Sequence, residues 1–358
     1  MKIIIKFFSF ASVLLLILNT NICAQIYTTT KVDAQVKELV SKMTIEEKVG
    51  QMTQVTIQAV SKVQGTKDQM HQLDYAKLEE AIKNYHVGSI LNVYDIANTA
   101  DYWHEIINKI QDIAVKETRL GIPVLYGIDA IHGATYTKGA TLFPQAISMA
   151  ATWNTEIAKQ SGEITSLETK ASGIAWNYYP VMDIGRQPLW SRLWETFGED
   201  VYLASQMGAS YIKGAQGDDM SAPNKLATCL KHYVGYSFPI NGLDRTPAWI
   251  SERMMREYFL PTFEAGILAG SPSVMVNSGE VDGIPGHANY HLLTEVLRNE
   301  LNFKGLVVSD WEDIKRLHDR HNVANSPRQA VVMAVNAGID MSMVPTDFSF
   351  YDLLLEAV

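Results

Sequence analysis

Short apolar runs alternate with longer amphipathic segments along most of this chain. Eight of the runs are rich in residues that favour strands, and we predict a β-strand in each. The predicted strands cover residues 52–55, 88–92, 124–128, 176–180, 227–233, 273–277, 306–309 and 339–343. Helical periodicity predicts helices at residues 33–42, 155–171, 201–214, 252–269, 291–301 and 327–337.

This alternation of strands and helices predicts an α/β fold with a parallel sheet. Near-continuous apolar strands are typical of a sheet that helices cover on both faces. Eight such units favour a closed (β/α)8 TIM-type barrel, and an open doubly wound sheet is the competing arrangement. We expect the first units, the second above all, to be less regular than the others because they leave little room for a crossover.

Polar residues follow the ends of several predicted strands, where a (β/α)8 barrel carries its functional groups. Asp129 follows the third strand, Lys231 and His232 belong to the end of the fifth, and Asp310 and Trp311 follow the seventh. Because the carboxyl ends of all the strands open on one mouth, we expect these side chains to converge.

The convergent groups suit a sugar. Each sugar hydroxyl both donates and accepts a hydrogen bond, so its site needs carboxylates and fixed donors together. Four residues offer that mixture: Asp129, Arg192, Lys231 and His232. Trp311 would present an apolar face to a pyranose ring. Asp310 follows a buried strand that would hold it rigidly, as the nucleophile of a retaining glycosidase requires.

Structural roles compete with these interpretations. We expect Asp200 to cap the following helix and Asp313 to serve local capping. His132 and His287 are interpreted as loop or supporting residues. If Lys231 and His232 both face one pocket, the backbone must depart from regular strand geometry between them. An ion-pair network around one long loop is the alternative for Arg186, Arg192, Glu195 and Glu199.

Composition agrees with a soluble globular enzyme. The 358 residues are 47% hydrophobic and 19% charged, and the net charge is −9. An acidic balance argues against nucleic acid as the partner and against attachment to anionic lipid. The chain has no His-Glu-x-x-His motif, no paired metal-binding cysteines, no phosphate loop and no Gly-x-Ser-x-Gly elbow.

The first residues read as a targeting segment. Lys2 and Lys6 precede a short apolar run that ends in small residues, which is typical of a secretory signal peptide over residues 1–24. The alternative is a lipoprotein signal that keeps Cys23. Cleavage after Ala24 leaves Cys229 as the remaining cysteine, so neither an intrachain disulfide nor a cysteine metal site is then possible. We therefore expect a secreted, periplasmic protein without a membrane attachment.

Seven segments, in order along the chain, carry a resemblance to a known family. The chain resembles the N-terminal domain of glycoside hydrolase family three, the group of β-glucosidases and exo-glucan hydrolases. The segments are residues 50–54, 127–133, 192–200, 231–236, 244–245, 305–311 and 336–341. They include the sequences Gly-Ile-Asp-Ala-Ile-His-Gly and Lys-His-Tyr-Val-Gly-Tyr.

The resemblance implies specific roles. Asp310 would be the catalytic nucleophile, passing through a covalent glycosyl-enzyme, and Trp311 would lie against the sugar ring. The holders of the terminal glucosyl unit would be Asp129, Arg192, Lys231 and His232. No metal or organic cofactor is implied. The substrate would be an oligosaccharide with a terminal β-glucosyl residue.

Two departures from the family pattern bear on the mechanism. Many members place a tyrosine after the sixth strand, where this chain has Asn-Ser-Gly-Glu at residues 277–280. The acid/base usually comes from a following domain, which we expect to dock on the barrel and to lie beyond Val358. Glu195, Glu280 and Glu312 have no motif for that role. Two rival functions therefore stay open: a sugar-binding barrel without turnover, and a Schiff-base lyase built on Lys231.

Overall fold

The computed structural model describes residues 30–62 and 71–358. The predicted signal peptide and Cys23 lie outside the described residues. Within them, we find no helix that combines the length and the apolar character needed to span a bilayer.

Eight parallel strands form the barrel, and all eight coincide with predicted ones. The barrel strands are β1 Thr53–Thr56, β2 Ser89–Leu91, β3 Leu125–Ile128, β4 Trp176–Asn177, β5 Ala227–Tyr233, β6 Ser273–Val276, β9 Leu306–Val308 and β10 Ser342–Met343. Neighbours run in the order β10-β1-β2-β3-β4-β5-β6-β9, and a parallel bridge between Val308 and Met341 joins the two ends of this sheet. The closed barrel, and not the open sheet, is therefore confirmed. A small antiparallel hairpin, β7 Glu280–Val281 and β8 Ile284–Pro285, lies in the loop after β6.

Helices surround the barrel. The α-helices are α1 Thr30–Lys42, α2 Ile45–Gln51, α3 Tyr75–Glu79, α4 Ala100–Lys116, α5 Ala146–Ala150, α6 Thr155–Ala171, α7 Val201–Gln216, α8 Glu252–Met254, α9 Leu260–Leu268, α10 Asp313–Asp319, α11 Pro327–Ala337 and α12 Ser349–Ala357. π-Helical segments occupy Glu80–Asn84, Met255–Phe259 and His291–Glu300. The predicted cap is confirmed at α7, where the Asp200 side chain accepts from the backbone N–H of Leu203.

One helical expectation was wrong. The second unit is not irregular, because the 17-residue helix α4 crosses from β2 to β3 and buries Trp103, Ile106, Ile110 and Ile113 at helical spacing. The helix predicted for residues 252–269 is confirmed as one continuous helical segment, in which a π-helical turn joins α8 to α9. Pro261 lies at the start of α9 and has no N–H for a regular helical hydrogen bond, which accounts for this local change in helix type.

The barrel interior is a packed floor beneath the mouth. One cluster of buried side chains draws on six different strands or strand ends: Leu91, Trp176, Tyr178, Cys229, Met275, Val308, Met341 and Met343. The indole of Trp176 donates to the hydroxyl of Ser273 across this interior at 2.8 Å. Cys229 is a free, fully buried thiol in the floor. The packed floor leaves the carboxyl ends of the strands as the place for an open site.

Candidate active site

A cavity of about 300 Å³ opens at the carboxyl ends of the strands. All six residues predicted for the site line it: Asp129, Arg192, Lys231, His232, Asp310 and Trp311. The other lining residues are Asn92, Ile131, His132, Thr135, Tyr136, Glu195, Met275 and Met343. The strand-end argument therefore predicted which side chains converge on this cavity, and their roles stay a prediction.

Asp310 stands at the end of β9 and is held from several sides. Its carboxylate accepts the Ser278 hydroxyl at 2.5 Å and the backbone N–H of Trp311 at 2.6 Å. Its own backbone N–H donates to Nε2 of His287 at 3.1 Å. Since β9 is buried and both carboxylate oxygens are engaged, the side chain is fixed as a nucleophile would need to be.

Positive charge keeps this buried carboxylate ionised. Burial raises the pKa of Asp310, but Arg245, the Ser278 hydroxyl and Arg192 together outweigh that effect and lower the pKa below its ordinary value. A carboxylate must be ionised to attack an anomeric carbon. The surroundings of Asp310 therefore favour the form that a nucleophile requires.

Lys231 and Asp129 form an ion pair inside the cavity. The Lys231 ammonium lies 2.6 Å from Oδ1 of Asp129, with the lysine side chain 4% exposed and the aspartate 30%. The backbone between Lys231 and His232 departs from strand geometry as expected: that peptide bond is cis, and the register of β5 against β6 shifts between Leu230 and Tyr233. Both side chains consequently reach the same cavity.

His232 is oriented by Asp183, a fully buried residue that follows β4. Oδ2 of Asp183 contacts Nδ1 of His232 at 2.8 Å and accepts the His232 backbone N–H at 2.9 Å. Burial, together with Arg192 and Lys231, lowers the pKa of His232 well below its ordinary value. The imidazole is thus neutral, and Nε2 lies 3.9 Å from Oδ2 of Asp310, at the edge of the cavity.

Arg192 forms a structural ion pair and also lines the cavity. Its guanidinium forms two hydrogen bonds with Glu195, at 2.8 and 2.7 Å, and lies over the Tyr236 ring with its carbon 5.6 Å from the ring centre. Arg186 instead stacks on Tyr258 at 4.2 Å. The ion-pair alternative for this loop therefore holds for Arg192 and Glu195, and these two also line the cavity.

Asp313 and Asn92 differ from expectation, whereas His287 has the supporting place that was expected. Asp313 is not a helix cap: it is buried and binds Arg245 through both carboxylate oxygens, at 2.8 and 3.0 Å. His287 supports the site directly, through the backbone of Asp310. Asn92 was missed, although it follows β2 and its Oδ1 is buried without a hydrogen-bond partner. Its place as the last residue of the strand predicted for residues 88–92 was the available signal.

The glutamates considered for the acid role are otherwise engaged. Glu195 is paired with Arg192, and Glu280 lies 3.1 Å from Nδ1 of His321. Glu312 accepts a hydrogen bond from Thr346 at 3.4 Å. Many family members are expected to have a tyrosine after the sixth strand of the barrel. In this chain, Ser278 of that loop donates a hydrogen bond to Asp310. Across the described ranges, 30–62 and 71–358, no group of three or more His, Cys, Asp or Glu side chains is arranged to hold a metal ion.

The chain is a (β/α)8 barrel whose mouth holds a fixed carboxylate, two ion pairs and an indole, at the place where enzymes of this fold carry their active sites. Residues 44–358 match the family described as "Glycosyl hydrolase family 3 N terminal domain", and the chain belongs to that family.

The chain is similar to proteins that are named as β-glucosidases. The chain is 47% identical over 341 residues to a "Lysosomal beta glucosidase" of Dictyostelium discoideum, covering 91% of this chain and 41% of that protein. It is 32% identical over 319 residues to a "Periplasmic beta-glucosidase" of Salmonella typhimurium, covering 89% and 38%. A solved β-glucosidase structure from Erythrobacter marinus superposes with a TM-score of 0.80 at 32% identity, covering 90% of this chain and 41% of that one. The chain thus spans about two fifths of the length of these relatives.

Proposed function

We propose that this barrel performs the nucleophilic half of a retaining, exo-acting β-glucosidase, which removes terminal non-reducing β-D-glucosyl residues from oligosaccharides or glucans. The observation that carries the proposal is the state of Asp310, a buried carboxylate that is fixed by two hydrogen bonds and kept ionised at the mouth of the barrel. The family membership and the names of the relatives support the same reaction class.

In the proposed reaction, Asp310 attacks the anomeric carbon of the terminal sugar. A carbon–oxygen bond forms to the carboxylate as the bond to the departing oxygen breaks, and the departing oxygen takes up a proton. Water then hydrolyses the glycosyl-enzyme and restores the carboxylate. The residues that hold the sugar hydroxyls would be Asp129, Arg192, Lys231 and His232, while Trp311 packs against the ring.

A mechanism-based label tests the nucleophile. A 2-fluoro-glucoside with a good leaving group should form a stable adduct, because the fluorine slows both steps and the good leaving group restores the rate of the first step only. Mass spectrometry of peptides should place the adduct on Asp310. An adduct on another carboxylate would overturn the assignment.

A variant pair completes that experiment. Asp310→Asn should lower turnover of an activated glucoside about 10³-fold or more while the melting temperature changes little. Asp347→Asn is the matched control, since Asp347 also follows a barrel strand and accepts hydrogen bonds from Lys315 and Ser349 but does not line the cavity. Equal losses in the two variants would contradict the proposal.

Two other functions are weaker. A sugar-binding barrel would bind glucose and leave every β-glucoside intact, so the same chromogenic assay separates it. A Schiff-base lyase would require a free amine on Lys231, but its Nζ is engaged by Asp129 at 2.6 Å. Borohydride trapping of a carbonyl substrate on Lys231 would reveal such a lyase.

We also propose export to the periplasm. The support is the charged and apolar pattern of residues 1–24 and the printed name of the Salmonella relative. Mass spectrometry of protein recovered from cell fractions tests it: a mature chain beginning at Gln25 in the periplasmic fraction is expected. An uncleaved chain in the cytoplasm would contradict it, and a lipid on Cys23 would support the lipoprotein alternative.

A further inference from the structure

Arg245 lies behind the nucleophile without lining the cavity. Its guanidinium donates twice to Asp313, at 2.8 and 3.0 Å, and its Nη2 lies 4.0 Å from Oδ1 of Asp310. The arginine side chain is 20% exposed and that of Asp313 only 2%. A guanidinium held in this way is a fixed positive charge beside the reacting carboxylate.

The loop that carries Arg245 is fastened on both sides. Arg320 donates to the backbone carbonyl of Arg245 at 2.7 Å. The neighbouring Asp244 accepts hydrogen bonds from the Trp190 indole at 3.1 Å and from the Tyr236 hydroxyl at 2.7 Å. The loop therefore holds the guanidinium in place before any ligand enters.

A second arginine completes the arrangement. Arg316 donates to Oδ1 of Asp313 at 2.5 Å, an oxygen that also accepts from Arg245, and to the backbone carbonyl of Trp311 at 2.8 Å. One carboxylate between two guanidinium groups leaves a net positive charge, so Asp313 anchors Arg245 without cancelling its effect on Asp310. We call these three residues, Arg245, Asp313 and Arg316, the arginine clamp.

We propose that Arg245, held by the arginine clamp, is a positioning residue that keeps the Asp310 carboxylate ionised and in one orientation while making no contact with the sugar. This inference rests on the proposed function, in which Asp310 is the nucleophile.

The other charged and titratable groups near Asp310 come from several elements. They are Arg192 after β4, Cys229 and His232 on β5, Tyr236 after β5, His287 after β6 and Asp313 at the start of α10. Burial lowers the pKa of both histidines below their ordinary values, so these are neutral. Asp313 opposes ionisation of Asp310, since each carboxylate disfavours charge on the other. Positive charge therefore comes from Arg192 and the clamp, and within the clamp Arg245 is the group beside the carboxylate.

The pH dependence of an activated substrate measures this effect. A dinitrophenyl β-glucoside hardly needs an acid, so the acidic limb of its kcat/KM reports the ionisation of Asp310. Arg245→Gln should move that limb to higher pH by about one unit or more, since it removes a unit charge about 4 Å from the carboxylate. At a pH below the wild-type midpoint, kcat/KM should fall about tenfold for each unit of this move, while glucose affinity should change less than about twofold.

Two further variants frame the result. Arg245→Lys keeps the charge and should restore the acidic limb to the wild-type position. Arg256→Gln removes an arginine that also has two carboxylate partners, Glu252 and Glu300, but lies on the outside of the barrel, and it should leave the profile unchanged. A uniform loss of activity in Arg245→Gln with an unmoved acidic limb would overturn the inference.

Failure of the inference is distinguishable from failure of the proposed function. If wild-type protein hydrolyses the activated glucoside and carries the label on Asp310, an unmoved limb contradicts only the role of Arg245. If wild-type protein shows neither, the proposed function fails first. Should Arg245→Gln not fold, the wild-type inactivation rate by the fluorinated glucoside decides: its acidic midpoint should lie below the ordinary aspartate pKa of about 4, and a midpoint at or above that value overturns the inference.

Discussion

The ammonium of Lys231 lies 2.6 Å from the carboxylate of Asp129, a residue 102 positions earlier in the chain. The contact joins the end of β5 to the loop after β3 at the floor of the cavity. Lys231 is almost fully buried, whereas Asp129 keeps 30% of its side chain exposed toward the opening. The exposed carboxylate can accept from a sugar hydroxyl while its other contact anchors the lysine.

Removing the Asp129 carboxylate should weaken sugar binding. We expect Asp129→Ala to cost on the order of 1–3 kcal/mol in glucose binding, because a hydroxyl loses its acceptor in a partly desolvated site. Isothermal titration calorimetry measures this change directly. The melting temperature should fall too, since Lys231 loses its partner, but Asp129→Asn should recover part of that stability without restoring affinity.

Glu47 provides the control for Asp129. It is a mostly buried carboxylate paired with Arg119, at α2 and away from the cavity. Glu47→Ala should therefore lower stability and leave glucose affinity unchanged. Equal glucose affinity in Asp129→Ala and the wild-type protein would count against the subsite role.

Asn92 should contribute to binding and little to stability. Its backbone is fixed, because its N–H donates to Gly127 and its carbonyl accepts the Tyr126 hydroxyl, but Oδ1 is buried with no partner. A buried acceptor without a partner is unfavourable until a ligand supplies a donor. Asn92→Gly suits the left-handed backbone at φ 66° and should weaken glucose binding about five-fold or more with a nearly unchanged melting temperature. A large loss of stability with intact affinity would make Asn92 structural.

Asp183 should make stability depend on pH in a defined direction. Burial raises its pKa to about 7 in the folded protein, above the ordinary value. A raised carboxyl pKa means that the contribution to stability is present below the unfolded pKa and is lost as the pH rises through about 7. The free energy of unfolding of the wild-type protein should therefore fall relative to that of Asp183→Asn between pH 4 and 8, by on the order of 2 kcal/mol.

Urea unfolding of both proteins at several pH values checks the prediction for Asp183. The comparison matters because other groups titrate over the same range and affect both proteins alike. If the wild-type protein instead gained relative stability with rising pH, the Asp183–His232 contact would be an ion pair with a charged imidazole.

The strand-end pattern predicted the site because parallel strands in a barrel share one mouth. Asp129, Lys231 and Asp310 are far apart in the chain, yet each follows or ends an apolar run, and that placement alone brings them together. The helix α4 was missed although Trp103 and Ile110 carry its period. Here the short distance between predicted strands was given too much weight.

The contacts that tune the site could not be predicted in this way. Ser278 reaches Asp310, and Arg245 reaches Asp313, through loops whose course is set by tertiary packing. Asp313 was expected to serve local capping, but its carboxylate instead binds Arg245, which lies 68 positions earlier in the chain. A sequence pattern indicates which residues follow a strand, but it does not indicate which loops contact one another in the folded protein.

The leaving group should decide whether the 358-residue chain shows activity. Three carboxylates line the cavity, and two of them are paired: Asp129 with Lys231, and Glu195 with Arg192. Each of these two carboxylates is engaged by a cation, and Asp310 is the proposed nucleophile, so none of the three is placed as the acid. We therefore expect dinitrophenol release from an activated glucoside and almost no cleavage of cellobiose, whose departing alkoxide needs protonation.

Added nucleophiles sharpen this last experiment. The residue that protonates the leaving group also serves as the base of the second step, so its absence slows both steps. With a dinitrophenyl leaving group the second step should limit the rate, and azide, which needs no base, should speed release of dinitrophenol. Azide should not rescue cellobiose cleavage, whose first step lacks an acid. A β-glucosyl azide product would also establish retention. Robust cellobiose hydrolysis by the purified chain would refute the account and would point to an acid within the barrel. Glu280→Gln and Glu312→Gln would then identify it, since the residue in that role should lose cellobiose cleavage while keeping dinitrophenol release.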